Sequence, residues 1–157
     1  CAAHAGKVLN MYHTDDIDKK ILALLSRNSR ISLNQLSQQV FLTSPAVAAR
    51  IEKLEKSGVI TGYRADIDAE KLGYPITAFI ELTMDPDQKN AFVDFIRDSR
   101  NVLECYHVAG AYSMLLKVCF PTPSLLDQFV GSLQSFGKTQ TQIVFSTVVS
   151  PRSVHID

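Results

Sequence analysis

Side chains able to hold a metal, attack a carbonyl or relay a proton are scattered in this sequence. The histidines are His4, His13, His107 and His155, and the cysteines are Cys1, Cys105 and Cys119. No CxxC pair occurs. Only His107 falls within a regular element, and no Cys, Asp or Glu accompanies it at a ligand or dyad spacing. Glu81 and Glu104 are isolated carboxylates on strand-like runs, expected at an interface or in water. Neither a catalytic residue, a metal ligand nor a cofactor is expected from this inventory.

A different chemistry is concentrated between Arg30 and Lys53. Thr43, Ser44, Pro45, Ala46, Ala49, Arg50 and Lys53 sit on one short, helix-forming stretch. Small residues at a helix start let the backbone come close to the edges of bases. A hydroxyl such as that of Ser44 can bond a base or a phosphate, and a guanidinium such as that of Arg50 can bond guanine or phosphate with two donors. Arg30, just before the preceding helix, is placed to touch a phosphate backbone. The same cations could also do no more than solvate a surface helix beside Glu52 and Glu55. The elements around them decide between the two.

Ile17, Ile21, Leu24 and Leu25 recur at helical spacing, with Asp15 or Asp16 as cap and Asp18 in the first turn. Leu33–Val40 forms a second helix behind Ser32, with Leu36 and Val40 inward. Thr43 caps a third over Ser44–Ser57, with Pro45 in its first turn, Val47, Ile51 and Leu54 as its buried stripe, and Gly58 as its stop. Three short helices with a tight connection between the second and third describe a helix-turn-helix of winged-helix-like type, and they favour contact with double-stranded DNA.

Beyond residue 60 the apolar period changes. Val59–Asp66 reads as an extended strand and 69–74 as a turn. Ile76–Met84 alternates as a half-buried strand. A helix over Asp87–Arg100 carries Phe92, Phe95 and Ile96. Strands over Val102–Ala109 and Tyr112–Phe120 flank a turn at Gly110-Ala111. A helix over Ser124–Phe136, with core aromatic Phe129, ends at Gly137, and a last strand covers Thr139–Val149. The order β-α-β-β-α-β is the ferredoxin-like arrangement. The expected class is therefore α+β. Its parts are a disordered leader over 1–13, a helix-turn-helix domain over 14–60, a hinge strand and linker over 61–75, and a ferredoxin-like domain over 76–157.

Formal net charge is zero, but residues 11–66 hold eight Lys/Arg against six Asp/Glu, and residues 67–157 hold seven against ten. DNA needs only a local basic face. No apolar run approaches the roughly 18 residues of a membrane span. No signal peptide is visible, and the cysteines in strand-like runs read as small buried hydrophobes. The expected location is cytoplasmic. Apolar residues on both faces of the last strand, Ile143 and Phe145 against Val144 and Val148, call for a covering partner, and a homodimer is expected.

The run Asp15-Asp16-Ile17-Asp18-Lys19-Lys20-Ile21-Leu22, followed by Ser29-Arg30-Ile31-Ser32, Leu36, Leu42-Thr43 and Val47-x-x-Arg50-Ile51-x-x-Leu54-Glu55-x-x-Gly58-Val59-Ile60, resembles the Lrp/AsnC family. So do Leu72-Gly73, Val108-Ala109-Gly110-x-Tyr112, Leu115-Leu116-Lys117-Val118 and Thr139-x-Thr141-x-Ile143-Val144. The resemblance covers about residues 14–150. It implies a transcription regulator with an N-terminal helix-turn-helix and a βαββαβ sensing domain. It further implies assembly as dimers, tetramers or octamers, and a small amino acid bound where C-terminal domains meet.

Carried over, the recognition helix is Ser44–Ser57 and the sensing turn is Ala109, Gly110, Ala111, Tyr112 and Ser113. Thr139 and Thr141 would add hydroxyls from the last strand. Two positions depart from the family. Phe41 stands where the family usually has Gly, so the backbone there is strained or shifted. Ala111 and Ser113 stand where acidic residues are common, which leaves no carboxylate in the turn for an ammonium group. A DNA-compacting protein of the same fold, without ligand response, is the alternative reading. An ordinary hairpin, its glycine serving only the bend, is the alternative for the turn.

Overall fold

The computed structural model describes residues 12–156. The expected leader lies almost wholly outside them. The chain divides into two compact units, one of residues up to Asp66 together with 151–157, the other of Ile67–Ser150. The tail from Pro151 thus groups with the first unit, where the sequence reading had left it with the second.

In the first unit, helix α1 (Asp16–Arg27) starts at a capping box. Asp15 accepts from the Asp18 amide at 2.7 Å, and the Asp18 carboxylate accepts from the Asp15 amide. Helix α2 (Leu33–Val40) starts at a second such box between Ser32 and Gln35. Helix α3 (Ser44–Lys56) starts at Thr43, whose hydroxyl accepts from the Ala46 amide. Ile21, Leu36, Val40 and Val47 close into one apolar cluster, with Ile17, Leu24, Leu25, Ile31, Leu42 and Ile51 packed around it. Three amphipathic stripes therefore meet, as the period of the sequence requires.

The turn between α2 and α3 passes through Phe41, which takes φ 56° and ψ 43°. Among the described residues it is the one non-glycine residue at positive φ. The residue is 87% exposed, with the Lys20 ammonium 5.4 Å from the ring centre. The backbone therefore keeps the turn geometry that Gly would supply and accepts the strain.

In the second unit, strands β1 (Ile76–Met84), β2 (Val102–His107), β3 (Met114–Phe120) and β4 (Gly137–Ile143) form one antiparallel sheet in the order β2-β3-β1-β4. Helices α4 (Lys89–Asp98) and α5 (Pro123–Leu133) complete the βαββαβ order of an α+β, ferredoxin-like fold. Ala78, Ile80 and Leu82 of β1 and Met114, Leu116 and Val118 of β3 join Phe92, Leu126 and Leu133 of the helices in the core. Phe95 stacks on Phe129, and Phe136 packs against Phe92 and Phe95.

The opposite face holds Phe79 and Glu81 of β1, Leu115 and Lys117 of β3, and Glu104 and Tyr106 of β2. These residues are opposed in register, with Glu104 beside Lys117 and Tyr106 beside Leu115. No helix of this unit covers them.

Three expectations change. Val59–Asp66, expected as an extended strand unpaired within its own small domain, joins no ladder there, but Val59 and Ile60 are a bend whose amides donate to the Leu54 carbonyl. The last strand ends at Ile143, one bond short of Val144, whose amide still donates to the Thr77 carbonyl. Gly137 opens β4 and does not cap α5, which closes at Gln134. A Cβ at Gly137 would stand 1.9 Å from the Thr83 carbonyl oxygen, so the close approach of β4 to β1 demands glycine there.

A left-handed conformation costs a non-glycine residue about 1–2 kcal/mol, part of which glycine returns through its freer unfolded chain. Phe41→Gly should raise stability by about 0.5–1 kcal/mol, and the β-branched Phe41→Val should lower it by a similar amount. Thermal unfolding of the two variants and the parent orders them. If Phe41→Gly is the least stable, the Lys20 contact outweighs the strain.

Candidate nucleic-acid interface and effector pocket

Residues of the recognition stretch divide by what already engages them. Val47 and Leu54 are fully buried, and Ile51 is half-buried against the cluster of α1 and α2. The stripe so formed leaves Pro45, Ala49, Glu52 and Lys53 exposed. Ala46 is half-buried. The Thr43 hydroxyl is used as the cap, and the Ser44 hydroxyl lies 3.4 Å from that of buried Ser37, to which it donates. Lys53 is exposed with its ammonium 5.4 Å above the Tyr12 ring. Arg30 is exposed, and its amide donates to the Asn28 side chain, which closes the turn before α2.

Arg50 departs from expectation. The sequence reading gave its guanidinium to the groove, and the structure turns it toward α1. Its Nη1 lies 2.7 Å from Asp15 Oδ2 and 2.7 Å from Asp18 Oδ1. The Asp18 side chain is only 8% exposed, so this carboxylate needs a cation beside it. The capping box of α1 and the middle of α3 are thereby one charge-assisted network. The Asp18 amide, and then the Arg50 guanidinium, hold Asp15 below the usual carboxylate range. Asp15 and then Asp18 hold Arg50 above its ordinary value. The acidic start of α1 reads from sequence as a cap and a first-turn charge of its own helix, and nothing in the spacing pairs residues 15 and 18 with residue 50.

In the second unit, a cavity of about 570 Å³ is lined by Thr83, Met84 and the run His107–Ser113, so all five residues of the expected turn border it. Its hydroxyls are less available than the sequence suggests. Ser113 Oγ donates to the Leu82 carbonyl at 3.1 Å and accepts from the Met84 amide at 3.0 Å. The Tyr112 hydroxyl donates to Gln140 Oε1. Thr83 Oγ1 donates to the Ala111 carbonyl at 3.3 Å. The amides of Ala109, Gly110 and Ala111 have no acceptor among the described residues.

Thr139 and Thr141 do not line the cavity. Their register opposite Leu82 and Ile80 puts them on the parity of the helix-covered face, and the intervening Gln140 meets Tyr112. Thr83, Met84, His107 and Val108 line the cavity without having been expected there. They lie at or beside strand ends that only the β1–β3 and β2–β3 registers bring to the turn.

Comparison with known proteins matches both units to known families. Residues 14–61 match the winged helix-turn-helix DNA-binding family, and residues 77–154 match the Lrp/AsnC ligand binding domain. LrpA of Bacillus subtilis (strain 168), an HTH-type transcriptional regulator, is 37% identical over 131 residues, covering 83% of this chain and 96% of LrpA. The chain belongs to the Lrp/AsnC family. It is a DNA-binding transcription regulator with a ligand-binding domain, and not an enzyme.

Two further regulators are similar over most of the chain. The proline dehydrogenase transcriptional activator of Rhizobium radiobacter is 34% identical over 149 residues, 88% of this chain and 96% of that protein. A Neisseria meningitidis transcriptional regulator, solved as a complex with L-methionine, superposes with a TM-score of 0.86 at 25% identity. The match covers 92% of this chain and 98% of that one. Among the described residues no helix is long and apolar enough to cross a membrane.

Within an Lrp/AsnC regulator the Arg50 network has a consequence for the pose of α3. Arg50→Ala strands a nearly buried carboxylate and should cost about 1–3 kcal/mol. Because Asp15 is depressed in the folded state, its stabilisation is present above the unfolded carboxylate pKa of roughly 4 and is lost as pH falls through the lower folded value. Denaturant unfolding of parent and variant should therefore differ by a constant amount from about pH 5 to 7 and converge below about pH 4. An equal gap at every pH excludes the carboxylates as the partners that matter.

Proposed function

We propose that the exposed face of α3 enters the major groove of operator DNA. Pro45, Ala46 and Ala49 give close approach there, Lys53 and Arg30 contact phosphates, and Thr43 and Ser44 hold the helix start. Arg50 acts as a positioning residue that locks α3 to α1. The observation that carries this reading is the combination of the small exposed residues Pro45 and Ala49 near the start of α3 with an apolar stripe packed on its other side. Sequences selected from a random duplex pool should share a motif. Ala49→Glu should abolish that enrichment with folding intact, and Lys53→Ala should lower the salt slope by about one. Uniform binding with no enriched motif favours the DNA-compacting reading instead.

The protein works, on this reading, in the cytoplasm as a homodimer or a higher assembly of dimers. Support comes from the uncovered sheet face and from the segment after β4, where Phe145 is 100% exposed and Val148 92%. Apolar surface of this kind on a monomer marks a contact. Sedimentation at micromolar concentration should give at least a dimer, and a 17.4 kDa species contradicts it.

The His107–Ser113 cavity takes a small amino acid. The free amides of Ala109–Ala111 suit a carboxylate, and the complex of the Neisseria relative with L-methionine supports an effector of this size. With no Asp or Glu in the turn, the ammonium group meets carbonyl oxygens or a carboxylate of another subunit. A panel of amino acids including methionine should contain one that raises the melting temperature, by the equivalent of about 2.7 kcal/mol at 100 Kd. Gly110→Leu should abolish the rise, since Gly110 sits at φ 148° and opens into the cavity. If no amino acid binds the parent, the turn serves only the bend.

A further inference from the structure

The tail from Pro151 folds beside the hinge segment within the first unit, and the two border a groove of about 610 Å³ together with α1. Three arginines line it. Arg27 comes from the last turn of α1, Arg64 from the hinge and Arg152 from the tail. Among the described residues that line the groove, one is an acid, Asp66. No ion pair engages any of the three arginines among the described residues, and all three are exposed. Elsewhere in the same unit the structure does pair its cations, as at Arg50 with Asp15 and Asp18 and at Lys56 with Glu52. Three unpaired guanidiniums around one concavity form a local positive field with room for an anion.

The groove is tied to the DNA-reading elements by bonds. The amides of Val59 and Ile60 both donate to the Leu54 carbonyl of α3. The Tyr63 hydroxyl donates to Glu55 Oε1 at 2.9 Å, so the residue before Arg64 is pinned to the last turns of α3. On the other side, Ser29 lines the groove and is followed directly by Arg30 and the capping box of α2. The row of groups thus continues from the start of α2 into the groove. We infer that this groove is a second DNA contact, in which Arg64 of the hinge and Arg152 of the C-terminal tail, with Arg27 beside them, hold the sugar-phosphate backbone outside the bases that α3 reads.

Such contacts are independent of base sequence and act through release of counterions. The test uses the full chain and a 40-base-pair mixed-sequence duplex as probe, with affinity measured across salt. The variant is Arg64→Ala/Arg152→Ala, which leaves Arg27 to complement the end of α1. Two phosphate contacts fewer lower the log–log salt slope by about two, and the affinity ratio of parent to variant should shrink about tenfold between roughly 50 and 200 mM salt. Arg64→Lys/Arg152→Lys should restore most of the slope, because a phosphate needs the charge more than the fork.

An unchanged slope overturns the inference. So does a variant whose sedimentation changes while its slope does not, since the groove would then be a contact between copies of the chain. Lys53→Ala, measured on the same probe, separates the outcomes. If it lowers the slope and the arginine variant does not, the recognition-helix reading stands and the groove contact alone fails.

Discussion

The pose of the recognition helix depends on one shared guanidinium. α3 has to expose small residues on one side, so its own apolar stripe is narrow, with Val47 and Leu54 fully buried and Ile51 half-buried. A narrow stripe fixes distance better than rotation. Arg50, beside that stripe, adds a directional constraint by meeting Asp15 and Asp18 at 2.7 Å each. Because Asp15 and Asp18 also form the capping box of α1, rotation of α3 would break the start of α1 as well. The acids that seem out of place beside a DNA-binding helix are what orient it.

The turn that delivers the chain into α3 is under a constraint of its own. Between Val40 and Thr43 the backbone must reverse, and it does so through a left-handed residue whatever the side chain. Phe41 fills that place at a conformational cost, with its ring in solvent under Lys20. The two capping boxes, the Thr43 cap and the Leu36–Val40–Val47 cluster together over-determine the turn, which is why a costly residue persists there.

Legibility followed the range of the forces involved. Helix starts were readable, since Asp15, Ser32 and Thr43 act within three residues and each caps where its type and spacing suggest. Strand alternation on β1 was readable because Ala78, Ile80 and Leu82 face one core. The role of Arg50 was not, since its partners lie 32 and 35 positions away. The parity of β4 was also hidden. Thr139, Gln140, Thr141 and Gln142 all carry hydrogen-bonding side chains, so apolar alternation is absent there, and the pairing with β1 decides which of them turns toward Tyr112. The requirement for Gly137 likewise comes from the Thr83 carbonyl, across the sheet and far away in the chain.

A net charge of zero fits a DNA-binding protein once the range of electrostatics is considered. At physiological salt the field of a charge decays within about 8 Å, so a duplex senses the cations it touches and little of the chain total. In the first unit the tail adds Arg152 and Asp157 to the eight Lys/Arg and six Asp/Glu of residues 11–66. Two of those acids, Asp15 and Asp18, are neutralised in large part by Arg50, and Glu52 by Lys56. Outside these pairs stand Arg27, Arg30, Arg64 and Arg152, all exposed at or near the ends of elements. A field of this kind gives little long-range steering and favours binding by contact, so affinity rests on how rigidly those cations are held. Caps, ion pairs and the bonds from the hinge to α3 supply that rigidity, which makes the folding interactions of the first unit part of its recognition chemistry.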